Sequence, residues 1–362
     1  MEIMGKLSDM LSLFSKVENL VGLDIGSHSV KIMQANISNV TPRLISMGVA
    51  PLPRDAFVEG RVAKPELVAE AIRLLASHLG IKQRTVAISI SGYDVMFKKI
   101  PLPTMTESEL DERMHSELGQ YIPYNIDEVD VDYKVIDVSK DRPDSMDVLI
   151  VAAKKESVSD FTNLLKLCGF DPFVVDVDFF ALSNSFEASY GFGDDRVALL
   201  DIGANKSVMN IGHKGVPIFT RSISIGGNQI TDNIKDAFNI SFEEAESVKL
   251  GEVTGKYPAR DLEEIFVSTV SGWVTECRRA VDFYYHNYPE QNIDALYLSG
   301  GSCRIPGLDK VLKEHMEIPV QIFNPISRIQ YDVKQFDPAY VDYIGPQMAI
   351  SLGLALRKTK EK

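Results

Sequence analysis

The stretch Leu23-Asp24-Ile25-Gly26 recurs as Leu200-Asp201-Ile202-Gly203 in the second half of the chain. An apolar run leads into each copy, and β-forming residues follow at 30–33 and 208–211. A strand, an acidic-glycine turn and a second strand predict a hairpin whose tip presents backbone N–H groups and one carboxylate to phosphates. Two such tips in one chain predict two related lobes that grip one nucleotide from opposite sides.

The residue types of the repeat suit phosphate chemistry. Gly26 and Gly203 let the backbone turn sharply and approach phosphate oxygens, which a Cβ would obstruct. Asp24 and Asp201 can lie beside a triphosphate if a hard divalent cation, Mg²⁺, sits between them, usually through water. Lys31, in the strand after the first tip, is placed to reach back to a phosphate. Either copy alone would be interpreted as an ordinary turn, but the repetition favours a nucleotide site.

A glycine pair forms a third candidate element of the site. Gly300 and Gly301 follow an apolar segment, 295–299, that is typical of a buried strand, and a helix is predicted to begin after Pro306. A strand, a glycine pair and a helix onset allow an adenine ring or an α-phosphate to approach the backbone closely. A glycine pair alone is more often a tight connection than a ligand site.

The segment 241–249 is typical of a short helix. Ser241 and Glu244 fit a capping box at its start. Glu246 and Lys249 are three residues apart and therefore share one helix face. This second pair either hydrogen-bonds ribose hydroxyls or forms a simple surface ion pair.

Together these motifs resemble those of the actin-like ATPase superfamily. The matching stretches are Asp24-Ile25-Gly26-Ser27, Asp201-Ile202-Gly203, Ile225-Gly226-Gly227-Asn228-Gln229-Ile230-Thr231, Glu244-Ala245-Glu246 and Leu298-Ser299-Gly300-Gly301. Within the superfamily the chain is most similar to the PilM family of type IV pilus assembly, and more distantly to FtsA. The PilM-like phrases lie at 21–26, 86–92, 100–103, 117–124 and 351–357. They extend over nearly the whole chain beyond the first twenty residues, and the segment around 120–124 narrows the resemblance to PilM.

The resemblance implies an α/β, actin-like ATPase fold. Two RNase H-like lobes are expected, with a small α+β insertion of the FtsA/PilM type, similar to an SHS2 domain, in the first lobe. The predicted units are an N-terminal amphipathic segment at 1–19, the first lobe at 20–83, the insertion at 84–172, the return of the first lobe at 173–194, the second lobe at 195–340 with a helical subdomain at about 230–290, and a C-terminal helix within 341–362 that returns to the first lobe.

The resemblance also implies roles for individual residues, with ATP or ADP and Mg²⁺ as the cofactors. Asp24 and Asp201 would face the metal through water. The residues expected around the nucleotide are Asp24, Gly26, Ser27, His28, Ser29, Lys31, Asp201, Gly203, Asn205, Gly226, Gly227, Glu246, Lys249, Gly300, Gly301 and Ser302. Of these, Lys31 would contact a phosphate, Glu246 and Lys249 the ribose, and the residues from Gly300 to Ser302 would flank adenosine.

The second tip departs from the pattern of many relatives. Two or three glycines often follow the second acid, but here Ala204, Asn205 and Lys206 follow Gly203. Fewer glycines leave the backbone fewer ways to surround a terminal phosphate. We therefore expect nucleotide binding with slow hydrolysis at most, and no catalytic residue is assigned.

A cluster of prolines and tyrosines in the predicted insertion suggests a binding groove. It consists of Pro101, Pro103, Tyr121, Pro123 and Tyr124. Prolines end strands and shape loops, so loop geometry and core packing explain each residue singly. The resemblance implies that the N-terminal cytoplasmic peptide of a PilN-type inner-membrane protein docks there, between insertion and first lobe. Other pilus-assembly proteins are further expected partners, and self-association stays open.

Composition is that of a cytoplasmic globular protein. The chain has 362 residues, of which 45% are hydrophobic, enough for two core-forming lobes. A net charge of −13 without a basic patch argues against nucleic acid as a partner. Its 3 cysteines are scattered and odd in number, which excludes a disulfide framework and predicts a reducing compartment. The resemblance implies a place at the inner face of the inner membrane, reached only through the partner.

The chain contains no long membrane-spanning pattern. Its longest apolar runs fall short of the roughly 18–20 residues that cross a bilayer. The first residues lack the basic region and cleavage site of a signal peptide. Apolar residues between 3 and 14 recur at helical spacing, but the polar face carries mixed charges. Packing on the protein's own body, or partial disorder, is the expectation for this segment.

Three other functions fit the same fold. The first is an FtsA-like, filament-forming cytoskeletal ATPase. The second is a secretion-platform scaffold similar to GspL that keeps the fold without ATP, against which Asp24, Lys31 and Asp201 argue. The third is a small-molecule kinase, which needs a carboxylate poised over an acceptor hydroxyl.

Overall fold

Two five-stranded sheets organise the chain. The computed structural model describes residues 20–38, 41–58, 60–138 and 144–358. Its strands are β1 (Val21–Ile25), β2 (Ser29–Asn36), β3 (Arg43–Pro51), β4 (Phe57–Val58), β5 (Arg61–Val62), β6 (Thr85–Ile90), β7 (Val95–Pro103), β8 (Val129–Val138), β9 (Ser145–Lys154), β10 (Asp171–Val177), β11 (Arg196–Ile202), β12 (Ser207–His213), β13 (Val216–Ile223), β14 (Ala295–Ser299) and β15 (Val320–Ile322). Its α-helices are α1 (Pro65–His78), α2 (Glu107–Tyr121), α3 (Lys155–Cys168), α4 (Asp178–Tyr190), α5 (Asn228–Phe238), α6 (Phe242–Lys249), α7 (Ala259–Asn287), α8 (Leu308–His315), α9 (Pro338–Ile344) and α10 (Ala349–Ala355).

The two large sheets have the same strand order. The first runs β3-β2-β1-β6-β10 and the second β13-β12-β11-β14-β15. In each, an antiparallel hairpin pairs on one side with a parallel strand, β6 or β14. The hairpin registers also correspond, since Asp24 lies opposite Lys31 and Asp201 opposite Val208. The predicted pair of related lobes is confirmed.

Burial on both faces explains why the central strands are almost wholly apolar. On one face of the first sheet, Leu23 shares a core cluster with Ile72 of α1 and Leu164 of α3. On the other face, Ala87 of β6 clusters with Leu182 of α4. Helices on both faces of a largely parallel centre are typical of α/β architecture.

Helix α10 lies at the seam between the two lobes. It shares core clusters with Met33 of the first sheet and with Leu199 of the second. Its approach to β1 and α4 is so close that only glycine fits at the contacts. A Cβ on Gly22 would lie 2.1 Å from the carbonyl oxygen of Ser351, and one on Gly353 would lie 1.7 Å from that of Ala181.

A separate three-stranded sheet, β7-β9-β8, forms the insertion. Leu110 and Met114 of α2 cluster with the apolar side chains of this sheet. The predicted segment 84–172 is wider than this unit. Strands β6 and β10 pair in the first sheet, and α3 packs in the core of the first lobe. The separate unit therefore runs from β7 to β9, because the strands on either side are buried beside β1.

Helices α5, α6 and α7 connect β13 to β14 and occupy the predicted helical region at 230–290. The 29-residue α7 buries Trp273 against the second sheet. Across the described ranges, no helix combines the length and apolarity required to cross a membrane. The predicted amphipathic segment at 1–19 lies outside the described residues.

Two glycine-to-alanine variants should change stability in opposite directions. Gly353→Ala should lower the free energy of unfolding by about 1–3 kcal/mol or more, because the methyl group overlaps Ala181. Gly272→Ala, in open space on α7, should raise it by about 0.5–1 kcal/mol, since alanine favours the helix. Urea unfolding measures both, and equal midpoints would contradict the packing described at the seam.

Candidate functional site

The two acidic-glycine turns face each other across the gap between the lobes. Each has the same backbone hydrogen bond, from Gly26 N to Ser29 O and from Gly203 N to Lys206 O, both 3.1 Å long. Asn205 Nδ2 in the second turn donates to Ser27 Oγ in the first at 3.0 Å. The predicted opposition of the two tips is therefore present in the structure.

A cavity of about 800 Å³ lies between these tips. Its size is that of a site for a small molecule or cofactor. The predicted residues that line it are Asp24, Gly26, Ser27, His28, Ser29, Lys31, Asp201, Gly203, Asn205, Gly227, Glu246, Lys249, Gly301 and Ser302.

Two predicted glycines lie behind the cavity wall and have a different role. A Cβ on Gly226 would lie 2.3 Å from the carbonyl oxygen of Ala204. Gly300 has φ +92°, and a Cβ there would lie 2.5 Å from the carbonyl oxygen of Ile202. Both glycines therefore let other segments of the second lobe pack against its acidic tip.

The acids of the two tips occur with a third acid that the sequence analysis missed. Asp24 pairs with Lys31 Nζ at 3.0 Å, and Asp201 accepts a hydrogen bond from Ser299 Oγ at 2.8 Å. Asp178, the first residue of α4, lines the same cavity. It follows β10, which is parallel to β6 and β1, and the carboxyl ends of parallel strands meet at one sheet edge. That rule would have identified Asp178 once β10 was assigned to the first sheet.

These charges perturb one another because water has little access to them. Burial raises the pKa of Asp201 to about 6, and the charges of Asp24 and Asp178 add to the rise. Burial likewise raises the pKa of Asp178, against the opposing charge of Lys206. Burial disfavours the ammonium of Lys31, but Asp24 and Asp201 outweigh it, so the pKa of Lys31 is raised. The cleft therefore carries more carboxylates than Lys31 can neutralise.

Such a charge imbalance suits a hard divalent cation. Among the described residues, no group of three His, Cys, Asp or Glu side chains is close enough to hold a metal ion directly. A Mg²⁺ ion near Asp24 and Asp201 would have to complete its octahedral shell with water and phosphate oxygens.

Glu246 and Lys249 form a buried pair in the cavity wall. Their side chains are 2.6 Å apart, and the Lys249 side chain is only 5% exposed, which excludes the simple surface pair. Burial lowers the pKa of Lys249. Burial also works against the charge of Glu246, but Lys249 outweighs it and lowers the pKa of Glu246. Lys249 Nζ also donates to Thr231 Oγ1 at 3.0 Å and to Gly227 O at 3.4 Å, which ties the pair to the start of α5.

The predicted capping box at α6 forms only in part. Ser241 Oγ accepts a hydrogen bond from Glu244 N at 3.1 Å. The Glu244 carboxylate does not return to the cap, because it pairs with Lys256 and accepts from Tyr257 at 2.6 Å.

The first lobe also contacts the helical region at the mouth of the cleft. Arg54 pairs with Asp232 at 2.7 Å and lies over the ring of Phe242 at 4.7 Å. His28 lies 6.4 Å from the same ring, and burial lowers its pKa, so the imidazole is neutral at pH 7. No local pattern marks Arg54, since its partners Asp232 and Phe242 are far away in the sequence.

Comparison with known proteins identifies the family to which the chain belongs. Residues 22–359 match the family described as type IV pilus assembly protein PilM. The chain belongs to the PilM family. A solved PilM–PilN type IV pilus biogenesis complex is similar to this PilM-family chain with a TM-score of 0.82 and 27% identity, over 95% of this chain and 99% of that one.

More distant relatives agree on the fold. The cell division protein FtsA of Bacillus subtilis (strain 168) is 25% identical over 371 residues, which cover 91% of this chain and 82% of FtsA. MreB 5 of Spiroplasma citri, solved bound to AMPPNP, has a TM-score of 0.51 and 13% identity, over 93% of this chain and 95% of that one. The predicted actin-like fold, with two related lobes and an insertion in the first, is confirmed for this PilM-family protein.

Replacing Asp201 should change how stability depends on pH. The folded-state pKa of about 6 lies above the ordinary 3.8, so the folded protein binds more protons between pH 4 and 6. The contribution of Asp201 to stability should therefore fall as pH rises through this window. Asp201→Asn lacks this loss and should gain roughly 1–3 kcal/mol at pH 7, and nothing at pH 4.

Urea unfolding from pH 4 to 7, without nucleotide or divalent cations, measures the effect. Asp195→Asn, which removes an exposed acid outside the cleft, is the control. Parallel pH profiles for wild type and Asp201→Asn would contradict the charge imbalance described for the cleft.

Proposed function

We propose that this PilM-family protein is an ATP-binding cytoplasmic scaffold of type IV pilus assembly. It would sit at the inner face of the inner membrane, recruited by the N-terminal cytoplasmic peptide of a PilN-type partner. The observation that carries the proposal is the pair of equivalent acidic-glycine turns facing one cavity of about 800 Å³.

The nucleotide would lie with its phosphates between the two turns. Backbone N–H groups of each tip can donate to phosphate oxygens, as in other backbone anion sites. Lys31 supplies a positive charge at the first tip. The PilM fold is similar to that of MreB 5, which has been solved bound to AMPPNP and to ADP.

Adenosine would lie between α6 and the glycine pair. Glu246 would accept from ribose hydroxyls, and Lys249 would donate to them in place of its long bond to Gly227 O, in the cavity that Gly301 and Ser302 also line. Mg²⁺ near Asp24 and Asp201 would neutralise both carboxylates and phosphates. Occupancy would favour the closed arrangement of the lobes, because only that arrangement brings both tips to one ligand.

Binding is better supported than hydrolysis. The second tip is tied to the start of α5, since Asn228 N donates to Ala204 O at 2.8 Å and Gly227 N donates to Gly203 O at 3.0 Å. These bonds fix the backbone of a loop that already has few glycines, so the loop has little freedom to adjust around a terminal phosphate. We infer a slow ATPase at most.

The partner peptide would dock at the proline and tyrosine cluster of the insertion. Pro101 and Pro103 lie on β7, an edge strand, and proline removes the N–H groups that an added strand would need. Recognition by side-chain anchors in a groove is therefore favoured over strand addition. The solved PilM–PilN complex supports a PilN-type ligand.

The charges beside the cluster restrict the ligand further. Asp127, Glu128 and Asp130 are exposed next to Tyr124. Opposite charges across an interface speed association and fix register. A peptide with apolar anchors and flanking lysines or arginines fits this surface best.

A second candidate is filament formation of the FtsA type. The observation in its favour is the 25% identity to FtsA over most of this chain. Sedimentation with and without ATP–Mg²⁺ separates filaments from a monomeric scaffold.

Nucleotide binding should raise thermal stability and depend on both acids. At 100 times Kd, ATP–Mg²⁺ should add about 2.7 kcal/mol to the free energy of unfolding. Asp24→Asn and Asp201→Asn should lose most of this gain, because each removes a charge beside the metal. Asparagine is preferred at position 24, since Asp24→Ala leaves the buried Lys31 without its partner.

Isothermal titration with ATP and AMPPNP gives the affinities, with Asp195→Asn as the matched control. Circular dichroism checks that each variant is folded. Wild-type affinity in both cleft variants would count against the proposed site.

Removing an aromatic anchor should weaken the partner interaction. Tyr124→Ser should lower the affinity for a synthetic PilN N-terminal peptide roughly tenfold or more, as expected for an aromatic interface anchor. Tyr340→Ser, which removes an exposed tyrosine on α9, should leave it unchanged. Fluorescence anisotropy of the labelled peptide measures both, and equal losses would refute docking at the insertion.

A further inference from the structure

Lys206 reaches from the second acidic turn to the first lobe. Its ammonium donates a hydrogen bond to Ser91 Oγ. It also lies against Gly92, where a Cβ would be 3.3 Å from Nζ. Ser91 and Gly92 directly follow β6 and lead into β7, so Lys206 contacts the segment through which the chain enters the insertion.

The contact is polar and lies inside the cleft. Ser91 and Lys206 both line the cavity that holds Asp24 and Asp201. Asp178 lines the same cavity, and the charge of Lys206 works against the burial that raises the pKa of Asp178. The Ser91 hydroxyl thus accepts a hydrogen bond from the Lys206 ammonium in a cavity that also holds the Asp178 carboxylate.

The entrance and exit of the insertion are clamped together next to this contact. Asp94 pairs with Lys154 at 2.9 Å and accepts from Ser157 Oγ at 2.8 Å. Lys154 in turn lies 5.8 Å from the ring centre of Tyr124. Polar contacts therefore lie on both sides of the Gly92–Asp94 turn, to the second tip at Ser91 and toward the proline and tyrosine cluster at Asp94.

An apolar contact follows the same route. Val208, two residues after Lys206, clusters with Phe97 and Val151 of the insertion sheet and with Phe179 of α4. The insertion thus rests on the hairpin that carries the second tip. A movement of Lys206 would therefore take place next to the apolar contact between this hairpin and the insertion.

We propose that Lys206 senses the terminal phosphate of a nucleoside triphosphate and transmits its presence to the insertion. A terminal phosphate between the tips competes for the ammonium, because the phosphate carries a negative charge and the Ser91 hydroxyl carries none. When Lys206 turns to the phosphate, the Gly92–Asp94 turn loses its tie to the second lobe. A diphosphate lacks that group, so Lys206 stays with Ser91. The inference depends on the proposed nucleotide site. It adds that the triphosphate, and not the diphosphate, releases the insertion from its contact with Lys206.

Hydrogen–deuterium exchange of the whole protein tests this, with AMPPNP–Mg²⁺ or ADP–Mg²⁺ at saturation verified by titration. In the wild type, amides of residues 92–98 should exchange at least about threefold faster with AMPPNP than with ADP. Lys206→Gln should abolish this difference and lower the affinity for AMPPNP more than that for ADP. Ser91→Ala should also abolish the difference.

Lys214→Gln is the matched control, because Lys214 belongs to the next turn of the same sheet and pairs only at the surface with Asp194. It should keep the wild-type difference. Equal exchange in the wild type with both nucleotides bound, or a retained difference in Lys206→Gln, would overturn this inference and leave the proposed site intact. Failure of both nucleotides to bind would overturn the proposed site and this inference together.

Discussion

The burial of Asp24, Asp178 and Asp201 in the lining of one cleft is the constraint on which the rest of the structure depends. Carboxylates with little access to water repel one another, and Lys31 compensates only part of their charge. This repulsion lowers the free energy of unfolding, and the packing of the two lobes compensates for it and holds the acids in place. Such a cost is typical of functional sites, and the proposed cation with its phosphates would relieve it.

Close backbone packing is what keeps the acids together. Gly22 and Gly353 let α10 lie directly on β1 and α4 of the first lobe, and α10 shares an apolar cluster with Leu199 of the second sheet. On the opposite side of the cleft, Arg54 joins the first lobe to α5 through an ion pair that is half exposed. An exposed pair contributes little stability. The lobes are thus joined firmly at the seam and weakly at the mouth, which is the arrangement that a hinge needs.

The features that could be predicted from the sequence are those marked by residues close together in the chain. The duplicated tetrapeptide marks strand, turn and strand within a few residues, and Asp24 and Asp201 follow from that repeat. Asp178 and Lys206 were harder to identify, because their roles arise from strands and turns that meet only in the folded chain. The limits of the insertion were set too wide for the same reason, since pairing of β6 with β10 leaves no mark in the local sequence. Glu244 fits a capping box by its position in the sequence, but in the folded chain its carboxylate bonds to Tyr257 and Lys256 instead.

The correspondence between the hairpins has a consequence for ligand symmetry. Two halves of like topology oppose each other, yet a nucleotide has a different group at each end. The halves must therefore differ at matching positions. They do so opposite the two acids, where the first hairpin has Lys31 and the second has Val208. One hairpin thus has a charged side chain where the other has an apolar one, so the two tips are not equivalent. An asymmetric ligand can therefore bind in one orientation in preference to the other.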